Sequence, residues 1–229
     1  MKLLIISDIH GNKDALDAVL SVPHDEVICL GDLVDYGPDP SECIDLIKNE
    51  DIAIIKGNHD NSVASKVDCG CGYKYKHLSI ATREYTWGQL STDQINLLRG
   101  LPLYIDKRFG GIKTHFTHGS PRSMYEYIKP DTPEEEILEM IESVDADFII
   151  IGHSHIPFIR QVGDVTIINP GSVGQPRDGD VRASCVLFDT QTRSAEIIRC
   201  EYDLDTLCRR IQENMPHADE LIGILKRGY

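Results

Sequence analysis

The chain has no apolar run of membrane-spanning length, so a transmembrane helix is not expected. Its first residues hold one lysine and the short run Leu3 to Ile6 before Ser7 and Asp8, too little for a signal peptide. Positive charge is scarce: 23 lysines and arginines face 37 acids, for a formal net charge of -14. Such a surface repels nucleic-acid polymers and anionic membranes, so neither is an expected partner. The 7 cysteines are odd in number and mostly scattered. That argues against a disulfide framework and fits a reducing cytoplasm, where the protein is expected to reside. Internal repeats, low-complexity tracts and linkers are also missing. What the 229 residues do have is 41% hydrophobic content, enough for one or two domains with a real core.

Residues 2–6 read as a buried strand that ends at Ser7-Asp8-Ile9-His10-Gly11. On extended backbone Asp8 and His10, two apart, point to one side. The plain alternative is an N-cap beside a surface imidazole. A helix over residues 12–20 follows. Residues 26–30 form the next strand, and Gly31-Asp32-Leu33-Val34-Asp35-Tyr36-Gly37-Pro38 a tight loop marked by Gly and Pro. Asp32 and Asp35 are either site groups or solvated acids of a turn. Residues 41–48 supply a helix. Residues 51–55 then run into Gly57-Asn58-His59-Asp60, where Gly57 is expected to turn the chain sharply. On extended backbone Asn58 and His59 point opposite ways, one toward a metal and one toward a substrate. Strands alternating with helices predict an α/β core whose ligands bind beyond the carboxyl ends of the strands.

Residues 61–102 break the alternation. Helices are expected at about 77–88 and 91–99, the second opened by the capping box Ser91-Thr92-Asp93-Gln94. We read residues 62–102 as a helical cap insertion over the active face. Cys69 and Cys71, with His77, offer metal-type ligands, but a Gly-rich loop with two free thiols is the expected reading. Strands return at 103–105 and 111–116, the latter ending in Thr117-His118-Gly119. A helix over 134–142 and a strand over 148–151 lead to Gly152-His153-Ser154-His155, whose two imidazoles can share a side. Strand 165–168 enters a polar loop over 169–179. A hairpin (184–189 and 195–200) and two helices within 203–229 close a single domain over 1–229.

The strand-end groups Asp8, His10, Asp32, Asn58, His118, His153 and His155 form a mixed nitrogen and oxygen set suited to divalent transition ions. Two such ions side by side form the clamp used in phosphoester hydrolysis. They polarise phosphoryl oxygens and lower the pKa of a bridging water, so hydroxide exists near neutral pH.

Five motifs, DxH, GDxxD, GNHD, HG and GHSH, run in that order from Asp8 to His155. Together they resemble the calcineurin-like metallophosphoesterases, and the 169–179 loop extends the likeness. The likeness is to the small bacterial and archaeal branch that includes phosphodiesterases and diadenosine tetraphosphatases. It implies a four-layer α/β/β/α sandwich of two facing sheets flanked by helices. It implies two divalent ions, of Mn, Fe, Co, Ni or Zn. One would be held by Asp8, His10, Asp32 and His155, the other by Asp32, Asn58, His118 and His153, with Asp32 bridging. His59 matches the donor of a proton to the leaving group, and Asp35 the carboxylate that orients it. Protein phosphatases of the family carry Arg where this chain has Tyr36. Its loss argues against a phosphoprotein substrate. Tyr36, with Tyr73 or Tyr75, is read as a face for a base or aryl group, or as packing. Arg122 and Arg177, in strand-end loops, are candidate substrate-binding residues or surface arginines.

The expected activity is a metal-dependent phosphodiesterase on a small or nucleotide-derived phosphoester. The alternatives are a dinucleoside polyphosphate hydrolase, a non-catalytic protein-binding scaffold, and a metal store using Cys69 and Cys71. A homodimer is left open.

Overall fold

Strand β1 (Lys2–Ile6) shows why the molecule is layered. Leu3 and Ile5 point one way, Leu4 and Ile6 the other, and all four are fully buried. A strand apolar on both faces must be covered on both. The computed structural model, which describes residues 1–70, 72 and 75–229, shows how. Cys71 and Tyr73 lie outside the described residues, and so do the readings placed on them.

The first sheet runs β10 (Ser194–Cys200), β9 (Ala183–Asp189), β1, β2 (Glu26–Cys29), β3 (Ala53–Ile54). β1, β2 and β3 are parallel, β9 is antiparallel to β1, and β10 is antiparallel to β9. The second sheet runs β4 (Tyr104–Phe109), β5 (Ile112–Thr117), β6 (Phe148–Ile150), β8 (Val165–Asn169), β7 (Phe158–Val162). Here β5, β6 and β8 are parallel and the two edges antiparallel. Between the sheets Leu3, Ile5, Ile28 and Leu30 meet Phe116, Phe148, Ile150 and Ile168.

The outer faces carry helices. Leu4, Ile6 and Cys29 pack with Leu16 and Val19 of α1 (Lys13–Leu20) and with Ile44 and Ile47 of α2 (Pro40–Asn49). Ile149 and Ile167 pack with Ile137 and Met140 of α6 (Glu134–Ile141). The four layers are those implied by the resemblance. Among the described residues no helix is long and apolar enough to cross a membrane.

Residues 58–65 form α3 (Asn58–Ser65), where the sequence predicts extended backbone beyond a sharp turn at Gly57. β7 was also missed, because Phe158-Ile159-Arg160-Gln161-Val162 has no strict alternation to betray it. The insertion does contain α4 (Lys76–Gln89) and α5 (Thr92–Gly100), the latter opened by the expected capping box: Gln94 N donates to Ser91 Oγ at 3.2 Å and Ser91 N to Gln94 Oε1 at 2.9 Å. These helices are bolted in. Leu98 of α5 is fully buried with Val63, Ala64 and Ile44, and Trp87 Nε1 donates to Val63 O at 3.0 Å. Emptying such a leucine site costs about 2–5 kcal/mol. Leu78 of α4 packs with Leu207 and Leu221 of α7 (Leu204–Asn214) and α8 (Ala218–Arg227).

Candidate metal centre and active site

The loops beyond the parallel strands of both sheets arrive at one face. Asp8 and His10 follow β1, Asp32 and Asp35 follow β2, and Asn58 and His59 open α3 after β3. His118 follows β5, and His153 and His155 follow β6. The backbone there is not extended: φ is 54° at Asp8, 47° at His10, 56° at Asp32, 64° at His153 and 58° at His155. Left-handed non-glycine residues carry strain, which Asp and His tolerate better than branched residues. Bonds between loops hold them. Asp8 N donates to Gly31 O at 3.0 Å, His10 N to Asp32 O at 2.9 Å and Gly174 N to Asp8 O at 3.0 Å.

Asp8 and His10 do share a trio, but the rule that residues two apart share a side fails at His153 and His155. His155 joins Asp8 and His10, whereas His153 joins Asp32 and His118, and within each trio the ligand atoms lie within 4.8 Å of one another. The rule also fails for Asn58 and His59. They begin a helix, so they diverge by about 100° rather than by the alternation of a strand. Gly57 itself is extended, with φ -87° and ψ 172°. Its reason is close approach: a Cβ there would sit 2.0 Å from Asp32 Oδ1.

Three of these histidines are oriented through Nδ1. His10 Nδ1 lies 2.8 Å from Val34 O, His118 Nδ1 2.8 Å from Leu30 O and His155 Nδ1 2.6 Å from Gln175 O. A carbonyl only accepts, so Nδ1 carries the proton and a neutral ring keeps a bare Nε2. Yet His10 Nε2 and His155 Nε2 are 3.2 Å apart. Likewise His118 Nε2 is 2.8 Å from Asn58 Oδ1, because the Asn58 amide donates to Cys69 O at 2.8 Å. Facing lone pairs at these distances repel unless a cation or a proton intervenes. Among the described residues, Asp8 Oδ1, Asp32 Oδ2 and His153 Nε2 are buried with no hydrogen-bond partner, although His155 Nε2 lies 3.2 Å from the first and His118 Nε2 3.3 Å from the second. An orphaned buried polar atom costs about 1–3 kcal/mol, more when charged. The donor set thus fits divalent cations.

The electrostatics agree. Burial pushes His10 and His155 below the ordinary imidazole range and, with the His118 charge, drops His153 to about 3. Neutral imidazole is the ligand form. Burial opposes ionisation of Asp8 and Asp32, but His155 for the first and His118 for the second override it and hold both low. Burial also disfavours protonated His118, yet Asp32 lifts it to about 9. A proton and a metal ion compete for that nitrogen. Asp32 Oδ2 lies 3.8 Å from His10 Nε2 and 3.3 Å from His118 Nε2, so it faces both trios.

Beside them stands a second arrangement. His59 Nδ1 is 2.7 Å from Asp35 Oδ2, and the His59 backbone amide donates to Asp32 Oδ1 at 2.8 Å. Burial works against the imidazolium, but Asp32 and Asp35 raise it to about 9. Asp35 Oδ1 accepts from Thr86 Oγ1 at 3.3 Å, and Arg83 Nε lies 3.6 Å from Oδ2. Both partners belong to α4, and the buried Arg83 is only 7% exposed.

Sequence reasoning missed Arg83 and Thr86, which no local pattern marks. It also gave Asp60 no role. That buried carboxylate accepts from Asp32 N at 2.7 Å, Leu33 N at 2.9 Å and Gly57 N at 3.0 Å, so it fixes the loop that presents Asp32. An acid in the first turn of a glycine-capped helix was the available signal. Tyr127 stacks on His153 with ring centroids 3.8 Å apart, and was missed too.

The proposed substrate groups are scattered. Tyr36 is 3% exposed, with its ring 4.9 Å from His10 and 5.0 Å from His59, and packs against Leu78 and Leu207. Arg177 lies 4.5 Å over the Tyr75 ring and donates to Gln175 Oε1 at 2.7 Å. Arg122 is an exposed partner of Glu126, at 2.6 Å. Cys69 is buried with Sγ 3.0 Å from Ser79 Oγ, and His77 meets Glu220 instead.

Comparison with known proteins places this geometry. Residues 1–193 match the calcineurin-like phosphoesterase superfamily domain. An uncharacterised protein of Methanocaldococcus jannaschii is 35% identical over 233 residues, covering 93% of this chain and 92% of that one. The crystal structure of a metallophosphoesterase from Sphaerobacter thermophilus is 30% identical, covers 100% of this chain and 99% of its own, and has a TM-score of 0.82. Phosphodiesterase YfcE of Escherichia coli is 25% identical over 194 residues, covering 79% of this chain and 83% of that one. The chain belongs to the calcineurin-like phosphoesterase superfamily, and its metallophosphoesterase and phosphodiesterase relatives mark it as a phosphoric ester hydrolase.

Proposed function

We propose that the protein is a two-metal phosphodiesterase acting on a small or nucleotide-derived phosphodiester. One observation carries this reading: the Asp32 carboxylate faces a histidine of each trio with one oxygen and anchors the His59 backbone with the other. Asp8, His10, Asp32 and His155 would hold one ion, and Asp32, Asn58, His118 and His153 the other. Divalent ions held there would supply Lewis-acid activation of the phosphoryl group and of a water.

The chain's own residues do the rest. Asp35 accepts a hydrogen bond from His59 Nδ1–H, which leaves Nε2–H to protonate the departing oxygen as the P–O bond breaks. Arg83 and Thr86 hold Asp35 from the other side, so the cap helix α4 sets the direction of the acid. Asp60 fixes the loop that carries Asp32. Tyr36 stands where a monoesterase would place a guanidinium for a doubly charged phosphate. A diester carries one negative charge and needs no such group. The likeness to a phosphodiesterase of Escherichia coli supports the same choice. A bare scaffold would have no use for the His59–Asp35 pair.

The test is kcat/KM with Mn²⁺ for an aryl phosphodiester, diadenosine tetraphosphate, an aryl phosphomonoester and a phosphopeptide. The aryl diester is expected to lead. A clear lead for the monoester or the phosphopeptide overturns the reading, and a lead for diadenosine tetraphosphate replaces the substrate class.

A further inference from the structure

Far from the strand ends, His77, His217 and Glu220 bring two imidazoles and a carboxylate together, with ligand atoms within 4.8 Å of one another. His77 is the second residue of α4, His217 is the N-cap of α8, and Glu220 lies in the first turn of α8. His77 Nε2 is 2.9 Å from Glu220 Oε1, His217 Nδ1 is 4.0 Å from Glu220 Oε2, and the two rings meet edge to face at 5.7 Å. We propose that these three residues form a separate surface site for a transition-metal ion of the zinc class, joining the cap insertion to the C-terminal helices.

Three features support it. Ligand bonds of about 2.0–2.1 Å in a tetrahedron put ligand atoms about 3.3 Å apart, and the observed separations bracket that value. The positions are also preorganised. Leu78, next to His77, and Leu221, next to Glu220, are buried in one apolar cluster, so core packing fixes α4 against α8. The backbone bonds Glu220 N to His217 O (3.0 Å) and Leu221 N to His217 O (3.1 Å) set His217 and Glu220 on one face. Finally, the His77–Glu220 hydrogen bond explains two of the residues but not the third. Two imidazoles with one carboxylate favour Zn, Cu, Ni or Co over Mg or Ca. All three side chains are about half exposed, at 48–49%, so exchange with solvent metal is open and binding is weaker than in the buried trios.

The experiment uses the full chain loaded with Mn²⁺. Zn²⁺ is added by equilibrium dialysis, and total metal and thermal stability are measured for the wild type, His217→Ala and Glu220→Gln. The expected result is one more ion per chain in the wild type than in either variant, with zinc affinity at this site lowered more than about tenfold by each substitution. Zinc should raise the wild-type Tm more than that of the variants, whose zinc-free Tm shows that they fold. Equal ion counts and equal zinc-induced Tm shifts in all three proteins overturn the proposal.

Discussion

The floor of the proposed site is made of loops whose candidate ligands are gripped by backbone groups, whereas α4 and α5, the cap proposed for it, are held by side chains packed into a helix layer. On the floor, Val34, Leu30 and Gln175 carbonyls orient three imidazoles, and backbone bonds between loops hold Asp8, His10 and Asp32 in left-handed conformations. In the cap, Leu98, Trp87 and Leu78 do the holding through burial and one indole hydrogen bond. The two meet at Asp35, which gives one oxygen to floor and cap together and the other to the cap alone. On the proposed reading, metal capture would be a property of the floor, while the direction of proton delivery would depend on both.

The largest break in this comparison comes from the floor. Asp32→Ala removes the carboxylate that belongs to one trio and faces the other, and is expected to abolish metal retention and activity, whereas His10→Ala disturbs one trio. Metal analysis of the purified variants checks this, and full retention by Asp32→Ala would sink the bridging role. Next comes the group between floor and cap. His59→Ala is expected to keep its metal yet lose roughly 10²–10⁴-fold in kcat on poor leaving groups. With p-nitrophenol, which needs little protonation, the loss should shrink. Equal losses on both substrates would contradict a proton donor.

Substitutions in the cap should act more mildly and only through Asp35. Arg83→Met and Thr86→Val are expected to cost about 10–100-fold on poor leaving groups, the scale of outer-shell partners, with metal content unchanged. Arg83→Lys should recover part of that loss. A change in metal content instead would place α4 in the floor.

The smallest effect is a titration. In the metal-free protein the His59 ring is raised from an ordinary 6.5 to about 9. A raised histidine contributes stability that is full below pH 6.5 and is lost as pH climbs through about 9. Cations on the floor neutralise Asp32, which does most to lift the ring, so Zn²⁺ should move the midpoint down. Ring NMR signals followed against pH with and without Zn²⁺ decide it, and an unmoved midpoint would separate His59 from the metal floor.

Much of this was legible from local patterns. Leu3–Ile6, Ile28–Leu30 and Phe148–Ile150 announce buried strands, and the groups that follow them are the ones that converge. What local rules misjudged was direction. Alternation assumes extended backbone, and the φ values at His153 and His155 send two neighbours to different trios. Gly57 looked like a turn residue, but it is small because Asp32 lies against it. Arg83 and Thr86 reach Asp35 across about fifty residues of chain, and such contacts leave no periodic trace.

The most direct test of the account is a metal titration. Metal-stripped His217→Ala protein, used so that the surface cluster takes up no metal, is titrated with Mn²⁺ while hydrolysis of bis-p-nitrophenyl phosphate is followed. Activity is expected to rise from near zero to a plateau at about two equivalents per chain. A plateau at one equivalent, or diester hydrolysis that ignores the metal, would contradict it.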